Sequence, residues 1–335
     1  MIRTIGVCVV SAALVAFALN GAMSAASAQD AAAVESTDAG PSAQTGTPSQ
    51  ASASVADDAA PATPDRVATN IPAGYELVWS DEFDNPGLPD PERWAYDTFR
   101  NEQGWFNNEK QYYSADREKN ARVEDGNLII EAHEEELDPS VYPDWGEQEY
   151  SSARLITKGL GDWTYGFFEV RAKLPCGVGT WPAIWMLPSD PDIEWPAGGE
   201  IDIMEHVGFE PGVIHHSIHT TAFNFSRGTQ MTTEHELPDA CDAMHKYQLL
   251  WTADFMVFGV DDRPKFLFNK ESTKRSRWPF DRPQHLLLNI AVGGSWGGQR
   301  GVEAEAFPAR MEVDYVRVYQ PAAPADTRTN TRGQE

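Results

Sequence analysis

The segment Glu200-Ile201-Asp202-Ile203-Met204-Glu205 places three carboxylates within six residues, between apolar side chains. In a regular strand, Glu200 and Asp202 point to one face, and Glu205, at odd spacing, points to the other. In a β-bulge at Ile203-Met204, two residues lie opposite one residue of the neighbouring strand. The extra residue returns Glu205 to the face of the other two acids. The segment therefore predicts a β-bulge that gathers three carboxyl groups on one surface.

Three carboxyl groups on one surface cannot all stay ionised cheaply near neutral pH, because like charges raise one another's pKa. A protonated acid beside a carboxylate is the pair that cleavage of a glycosidic bond requires. One group protonates the leaving oxygen, and the other attacks or stabilises the anomeric carbon. Acids that alternate with aliphatic residues are also typical of an exposed edge strand, so the flanking sequence has to decide between the two interpretations.

Aromatic and histidine-rich segments flank the acidic strand. Trp181 and Trp185 precede it in the stretch GTWPAIWML, and His215, His216 and His219 follow it. Two tryptophans four residues apart share one face of a regular strand. The C–H groups on the face of a pyranose ring stack on an aromatic ring, so tryptophans beside paired acids favour a sugar-binding cleft.

With these segments in this order, the chain resembles glycoside hydrolase family 16, in its laminarinase-like (endo-β-1,3-glucanase) branch. The matching stretch runs from about Tyr75 to Tyr319. Besides the acidic strand, the motifs that carry the resemblance are Trp79-Ser80-Asp81-Glu82-Phe83, Trp105 to Tyr113, Ser152-Ala153-Arg154, Trp181 to Leu187, His219-Thr220, Asn289 to Trp296, and Met311 to Tyr319. So many motifs in one order make a chance match very improbable.

The resemblance implies a role for each acid of the bulged strand. Glu200 corresponds to the nucleophile, Asp202 to its helper and Glu205 to the general acid/base. The spacing with one extra residue argues, within the family, against the unbulged E-I-D-x-E form associated with xyloglucan enzymes and lichenases.

Short segments rich in β-branched and aromatic residues, bounded by Gly, Pro, Asp or Asn, predict an all-β fold. Examples are residues 128–132, 166–172, 247–251, 256–260 and 286–290. Nothing repeats at a fixed period, which disfavours a propeller or a solenoid. The resemblance sharpens the prediction to a jelly-roll β-sandwich of two curved antiparallel sheets, with the substrate cleft on the concave sheet.

The resemblance also implies a set of substrate-binding side chains, namely Asn107, Asn108, Arg154, Trp181, Trp185, His219 and Trp296. Neighbouring residues of an extended segment face opposite ways, so we expect only one of Asn107 and Asn108 to reach the sugar. Arg154 could instead pair with an acid of the chain, and His219 could be a structural hydrogen-bond donor. Core packing is the alternative for the tryptophans.

The three histidines after the acidic strand do not predict a metal centre, since His215 and His216 diverge in a strand and zinc needs converging ligands. We expect no cofactor for catalysis. A structural Ca²⁺ ion is a separate expectation, because many members of the resembled family hold one on the convex face. Backbone oxygens and one Asp hold that ion, and the matching positions here are Glu82, Gly126 and Asp314.

The ends of the chain differ in composition from its middle. Residues 1–28 are typical of an export signal, with Arg3, an apolar run and the small-residue sequence Ala26-Ser27-Ala28; a membrane anchor is the alternative. Residues 29–70 are dominated by Ala, Ser, Thr and Pro and predict a disordered linker. We expect one catalytic domain over residues 71–320 and a disordered tail over residues 321–335, in a secreted protein.

Charge and cysteine content narrow the choice of partners. The chain has 26 basic and 51 acidic residues, a net charge of −25, which disfavours nucleic acid and anionic membranes. Few basic residues lie near the motifs, so a neutral β-glucan fits better than a sulfated polysaccharide. Cys176 and Cys241 remain after the export signal, and they can form one disulfide or stay as two buried thiols.

These observations together predict a monomeric, secreted endo-β-1,3-glucanase that acts with retention on laminarin-like polymers. The nearest alternative is a hydrolase of the same fold that cuts mixed-linkage glucan, agarose or carrageenan. A non-catalytic glucan-binding protein is a further alternative, although family members of that kind lack the glutamate pair that this chain has.

Overall fold

The structure is a computed structural model that describes residues 70–323. The predicted export signal, the linker up to residue 69 and the tail beyond residue 323 lie outside the described residues. Within residues 70–323, none of the helices has the length and apolar character needed to cross a membrane.

The described residues form short strands that are separated by turns and loops, as the sequence predicts. Residues 70–323 form eighteen strands and three 3₁₀ turns (Phe106–Asn108, Phe225–Arg227 and Ala304–Ala306), with no α-helix among them. The strands are β1 Tyr75–Asp81, β2 Ala95–Tyr96, β3 Gln111–Tyr113, β4 Ala121–Glu124, β5 Asn127–Glu134, β6 Tyr150–Ser152, β7 Arg154–Ile156, β8 Asp162–Trp163, β9 Gly166–Lys173, β10 Thr180–Pro188, β11 Glu200–Glu205, β12 Val213–His219, β13 Met231–Glu236, β14 His245–Trp251, β15 Phe255–Val260, β16 Arg263–Asn269, β17 Gln284–Val292 and β18 Ala309–Pro321. The all-β prediction is confirmed.

The strands form two sheets that pack face to face. The larger has ten strands in the order β16-β15-β14-β9-β18-β5-β6-β3, with β1 paired to β18 and β4 to β5. The smaller has eight strands in the order β13-β12-β11-β10-β17-β7-β2, with β8 paired to β17. Every pair of these strands is antiparallel except β3 with β6, which is parallel.

Alternation along the central strands builds the core between the sheets. In β17, Leu286, Leu288 and Ile290 point into this core, together with Ile184 and Met186 of β10. Their neighbours of the other parity face away from the core, so one surface of the eight-stranded sheet is free to carry a site. Complete burial of side chains of this size contributes about 1.5 to 3 kcal/mol each.

A disulfide joins Cys176, in the connection between β9 and β10, to Cys241, in the turn before β14. Their Cα atoms are 5.7 Å apart across 65 residues of sequence. Sequence alone left open whether the two sulfurs meet. They do, and the buried His206 ring lies beside them, with its Nε2 3.7 Å from Cys176 Sγ.

The positions expected for calcium lie on the ten-stranded sheet, but their carboxylates already have cationic partners. Glu82 accepts hydrogen bonds from Arg317 at 3.0 and 2.7 Å, and Asp314 accepts one from Arg171. Gly126 lies in the turn between β4 and β5, with a φ of 76°. Ca²⁺ takes about six to eight oxygen ligands. Because both carboxylates are paired with arginines, they do not form an open set of oxygen ligands. An ion at this position would rely on backbone oxygens, and calcium binding stays a prediction.

We predict that replacing both Cys176 and Cys241 with serine lowers the free energy of unfolding by about 2 to 4 kcal/mol, because the cross-link closes a long loop in the unfolded chain. Denaturant unfolding of the variant and of the wild type, each without reductant, measures the difference. Wild type with reductant serves as the control and should match the variant. An unchanged unfolding midpoint would contradict the prediction.

Candidate active site

The acidic strand β11 carries the bulge that its sequence predicts. Against β10, Trp185 pairs with Asp202 and Ile184 with Met204, so Ile203 is the extra residue. Against β12, the register shifts between Asp202 and Glu205. Ile203 and Met204 are both fully buried in the core. Glu200, Asp202 and Glu205 consequently share the face of the sheet that points away from the core.

Glu200 and Asp202 form one cluster with His219 of the neighbouring strand. A carboxylate oxygen of each acid and a ring nitrogen of His219 lie within 4.8 Å of one another. His219 Nε2 is 3.3 Å from Asp202 Oδ2, and His219 pairs across the strands with Glu200. His219 therefore lies beside the acids, where the sequence places it.

Each glutamate accepts a hydrogen bond from an indole. Trp195 Nε1 donates to Glu200 Oε2 at 2.5 Å, and Trp181 Nε1 donates to Glu205 Oε1 at 3.2 Å. An indole N–H can donate only, so it fixes the rotamer of the carboxyl group without taking its proton. The two donors hold the two glutamates at separate points on the same surface.

Burial raises the pKa of all three acids. Desolvation, followed by the charge of Asp202, raises the pKa of Glu200 to about 8. Desolvation raises the pKa of Asp202, and a hydrogen bond with Glu200 opposes that rise. Desolvation and the charge of Asp202 raise the pKa of Glu205 well above its usual range. The site therefore holds protons near neutral pH, as acid catalysis of glycosidic cleavage requires.

Trp185 and Arg154 line the surface next to the acids. Trp185 Nε1 donates to Asn289 Oδ1 at 2.7 Å, and the Arg154 guanidinium lies 4.7 Å from the Trp185 ring centre. Arg154 also pairs with Asp97 at 3.0 Å, which is the structural alternative left open by the sequence. The pairing with Asp97 is therefore present, and contact of Arg154 with a sugar stays a prediction.

Trp296 extends the aromatic wall at Glu205. Its ring centre is 5.2 Å from Trp181 in an edge-to-face arrangement, and His215 packs edge-on at 4.9 Å. His216 points the other way into the core, where its Nδ1 is 2.6 Å from the Ile203 carbonyl oxygen. The predicted divergence of His215 and His216 is confirmed.

The geometry assumed for Asn107 and Asn108 is wrong. The two residues lie in a 3₁₀ turn with φ of 58° and 57°, in the left-handed region, and not in an extended segment. The opposite-face argument therefore does not apply. Asn107 Nδ2 donates to Glu109 Oε1 at 3.2 Å, and Asn108 Nδ2 donates to Ser295 Oγ at 3.1 Å, beside Trp296.

Sequence reasoning missed Trp195 and Phe225. Trp195 lies in the loop between β10 and β11, and its ring centre is 5.2 Å from Phe225 and 6.2 Å from His219. Phe225 in turn meets His219 edge-on at 5.9 Å. The one available signal was a Trp-Pro pair five residues before Glu200. Only the folded loop shows that its indole reaches the carboxyl group.

Two groups of side chains among residues 70–323 bring three potential metal ligands together. One is Glu200, Asp202 and His219, and the other is Cys176, His206 and Cys241. The second group lacks the free thiolates that a metal needs, because its sulfurs are bonded to each other. The first is the acid cluster already described.

A β-sandwich that carries tryptophans and two glutamates beside an aspartate on one face has the groups that glycoside hydrolases use. Comparison with known proteins specifies the family. Residues 108–317 match the model of glycosyl hydrolases family 16. The chain is 52% identical over 254 residues to a β-glucanase of Rhodothermus marinus, over 73% of this chain and 85% of that protein.

Solved structures agree with this assignment. A mutant of SCLam, a non-specific endo-β-1,3(4)-glucanase of family GH16, superposes with a TM-score of 0.74 and 53% identity, over 76% of this chain and 98% of that one. The laminarinase of Rhodothermus marinus gives a TM-score of 0.70 and 50% identity, over 74% of this chain and 98% of that one. The chain belongs to glycoside hydrolase family 16, and it has the jelly-roll fold of that family.

We predict that Glu200→Gln stabilises the protein at alkaline pH. Because burial raises the pKa of Glu200 from 4.5 to about 8, the folded state binds more protons than the unfolded state within this window. Stability due to this group is therefore full at low pH and falls as pH rises toward 8. The melting temperature of the variant should exceed that of wild type by a few degrees at pH 9 and match it near pH 4.5.

The control for this measurement is Glu76→Gln, at an exposed position of β1. It should leave the melting temperature unchanged at both pH values. A Glu200→Gln variant that is less stable than wild type at pH 9 would contradict the assigned desolvation cost.

Proposed function

We propose that this chain is a secreted, retaining endo-β-1,3-glucanase that hydrolyses laminarin-like β-glucans. The observation that carries the proposal is the convergence of Glu200, Asp202 and Glu205 on one face across the bulge, with an indole donor on each glutamate. Both glutamates come from one strand, so their spacing is a property of the backbone. All three acids belong to this chain, and we propose that it acts as a monomer without a cofactor.

In the first step, the ionised Glu200 carboxylate attacks the anomeric carbon, while the bond to the leaving glucosyl oxygen breaks. Glu205, whose pKa burial holds high, gives its proton to that oxygen. The product is a covalent glycosyl ester on Glu200 and a shortened glucan chain. The raised pKa of Glu205 keeps the acid protonated at the moment when the leaving group needs a proton.

In the second step, water attacks the anomeric carbon and the ester bond to Glu200 breaks. Glu205, now ionised, takes a proton from the water, and both glutamates return to their starting states. Two inversions at one carbon give overall retention. Retaining enzymes hold their carboxyl groups about 5 to 5.5 Å apart, and a bulged single strand is a compact way to reach that separation.

Asp202 and His219 adjust the charge state of the nucleophile. A carboxylate oxygen of Asp202 and one of Glu200 lie within 4.8 Å of each other, and His219 Nε2 lies 3.3 Å from Asp202 Oδ2. One proton shared between Glu200 and Asp202 leaves a single negative charge on the pair, which can be carried by Glu200 during attack. His219 opposes the rise in the pKa of Glu200.

A neutral glucan fits the lining of the cleft better than a charged polysaccharide. Trp181, Trp185 and Trp296 offer stacking surfaces, and the Arg154 guanidinium is already paired with Asp97. A sulfated substrate needs free cationic groups. The similarity to the laminarinase of Rhodothermus marinus supports a laminarin-like β-1,3-glucan as the substrate.

Mixed-linkage β-1,3(4)-glucan is the second candidate substrate, and one observation favours it. SCLam is a non-specific endo-β-1,3(4)-glucanase, and its structure presents a 1,3-β-D-cellobiosyl-glucose at the active site. We therefore propose that the enzyme also accepts β-1,4 links beside a β-1,3 link. The disulfide between Cys176 and Cys241 supports export, because such bonds persist in oxidising compartments.

We predict different phenotypes for the two glutamates. Glu200→Gln should abolish turnover of every substrate, whereas Glu205→Gln should retain first-step activity on an aryl glycoside whose leaving group needs no proton. Stopped-flow release of the aryl group measures this step. Added azide should rescue Glu205→Ala and yield a β-glycosyl azide, and no such product should appear with Glu200→Ala. Equal losses on activated and natural substrates would contradict the assigned roles.

We predict that Trp296→Ala raises KM for laminarin, with a loss of binding on the order of 1 to 3 kcal/mol, because a stacking surface is removed. The pH profile should stay unchanged, since the glutamates set it. Trp296→Phe, which keeps a ring, is the matched control and should lose much less. Purified protein should cleave laminarin and mixed-linkage glucan; at least tenfold faster cleavage of agarose or κ-carrageenan would overturn the proposal.

A further inference from the structure

Four aromatic side chains among the described residues are strongly exposed. Trp195 and Phe225, which are 40% and 51% exposed, lie beside Glu200 and His219. Phe99 and Phe106 are 63% and 53% exposed; Phe99 follows the edge strand β2, and Phe106 begins the turn that carries Asn107 and Asn108. Nothing in the catalytic steps uses the second pair. Exposed rings at the end of a sugar cleft are candidates for binding more of the polymer.

A chain of contacts links this second pair to the cleft. The Arg154 guanidinium lies 4.7 Å from the Trp185 ring centre and 5.0 Å from that of Trp105. Trp105 meets Phe99 edge-on at 5.5 Å, and Phe99 lies 6.3 Å from Phe106. The two exposed phenylalanines are therefore linked to Trp185 through Trp105 and Arg154, which are themselves buried.

The turn that carries Phe106 is held firmly. Asn107 and Asn108 both adopt left-handed backbone angles, a conformation that side chains other than glycine rarely accept. The Asn107 carbonyl oxygen accepts hydrogen bonds from Ser295 N at 2.6 Å and from Ser295 Oγ at 2.9 Å. These bonds fasten the turn to the loop that carries Trp296. Two aromatic positions of the cleft are thus held in one unit.

The Arg100 guanidinium sits 4.3 Å from the Phe106 ring centre, and its Nε donates to the Gly104 carbonyl oxygen at 3.0 Å. Phe106 is nevertheless 53% exposed, so the part of its ring that Arg100 does not cover is open to solvent. The Asn108 amide, in the same turn, bonds to the Ser295 hydroxyl of the neighbouring loop. A pyranose ring presents C–H groups that suit an aromatic face and hydroxyls that suit such polar groups.

We propose that Phe99 and Phe106 form a distal platform that binds glucosyl units of the β-glucan beyond those at Trp185 and Arg154. The inference rests on the proposed glucanase function and adds a chain-length preference to it. A long glucan spans the acids and the platform together, so both contribute to its binding. A short oligosaccharide that fills the positions at the acids does not reach the platform.

The test is the Phe99→Ala/Phe106→Ala double variant, assayed on laminarin and on laminaritriose. We expect KM for laminarin to rise about five- to twentyfold, as loss of stacking on two rings implies, with kcat unchanged. Values for laminaritriose should not change. Leu77→Ala, which shortens an equally exposed side chain on β1, is the matched control and should behave as wild type on both substrates.

Equal KM values for wild type and double variant on laminarin would overturn the platform, and so would an equal loss on both substrates. Binding is measured separately by retardation in gels that contain laminarin, in a Glu200→Gln background that does not turn over. Reduced retardation on loss of the two phenylalanines supports the platform, and unchanged or absent retardation overturns it. A wild type that binds laminarin without cleaving any β-glucan would overturn the proposed function and leave the platform standing.

Discussion

One extra residue in strand β11 is the constraint on which the site depends. Without it, Glu205 would point into the core and the Glu200 face would carry two acids instead of three. The bulge is held by the core, because Ile203 and Met204 are both fully buried between the sheets. Burial of two such side chains contributes several kcal/mol, at about 1.5 to 3 kcal/mol each. The spacing of the acids is therefore maintained by apolar packing on the opposite face of the same strand.

The chemistry of the acids follows from what surrounds them on that face. Burial makes ionisation of Glu200, Asp202 and Glu205 expensive, so protons are retained where a surface carboxyl group would lose them. The indoles of Trp195 and Trp181 donate hydrogen bonds to the two glutamates and fix their orientation. Tryptophan thus serves twice, since its N–H positions a carboxyl group and its ring offers a stacking surface.

Much of this arrangement could be predicted from the sequence. The bulge, the shared face of Trp181 and Trp185 and the divergence of His215 from His216 all follow from strand periodicity. The turn at Asn107 and Asn108 could not be predicted, since periodicity assumes an extended backbone and neither residue type demands a positive φ. Trp195 was missed because its contact with Glu200 depends on the path of a loop, and loops carry no periodic signal. The pairing of Cys176 with Cys241 could not be predicted either, because an even number of cysteines does not show which sulfurs are close in space.

The pairing of Arg154 with Asp97 has a consequence for where such an enzyme can work. The chain carries a net charge of −25, yet the cation that borders its cleft is already neutralised. Anionic polymers are repelled by the body of the protein and gain no free cation from Arg154. With the neutral glucan proposed above as substrate, a protein of this charge would reach it among acidic polysaccharides without adhering to them. This distribution of charge favours diffusion of the protein through such a matrix as much as it favours affinity for the substrate.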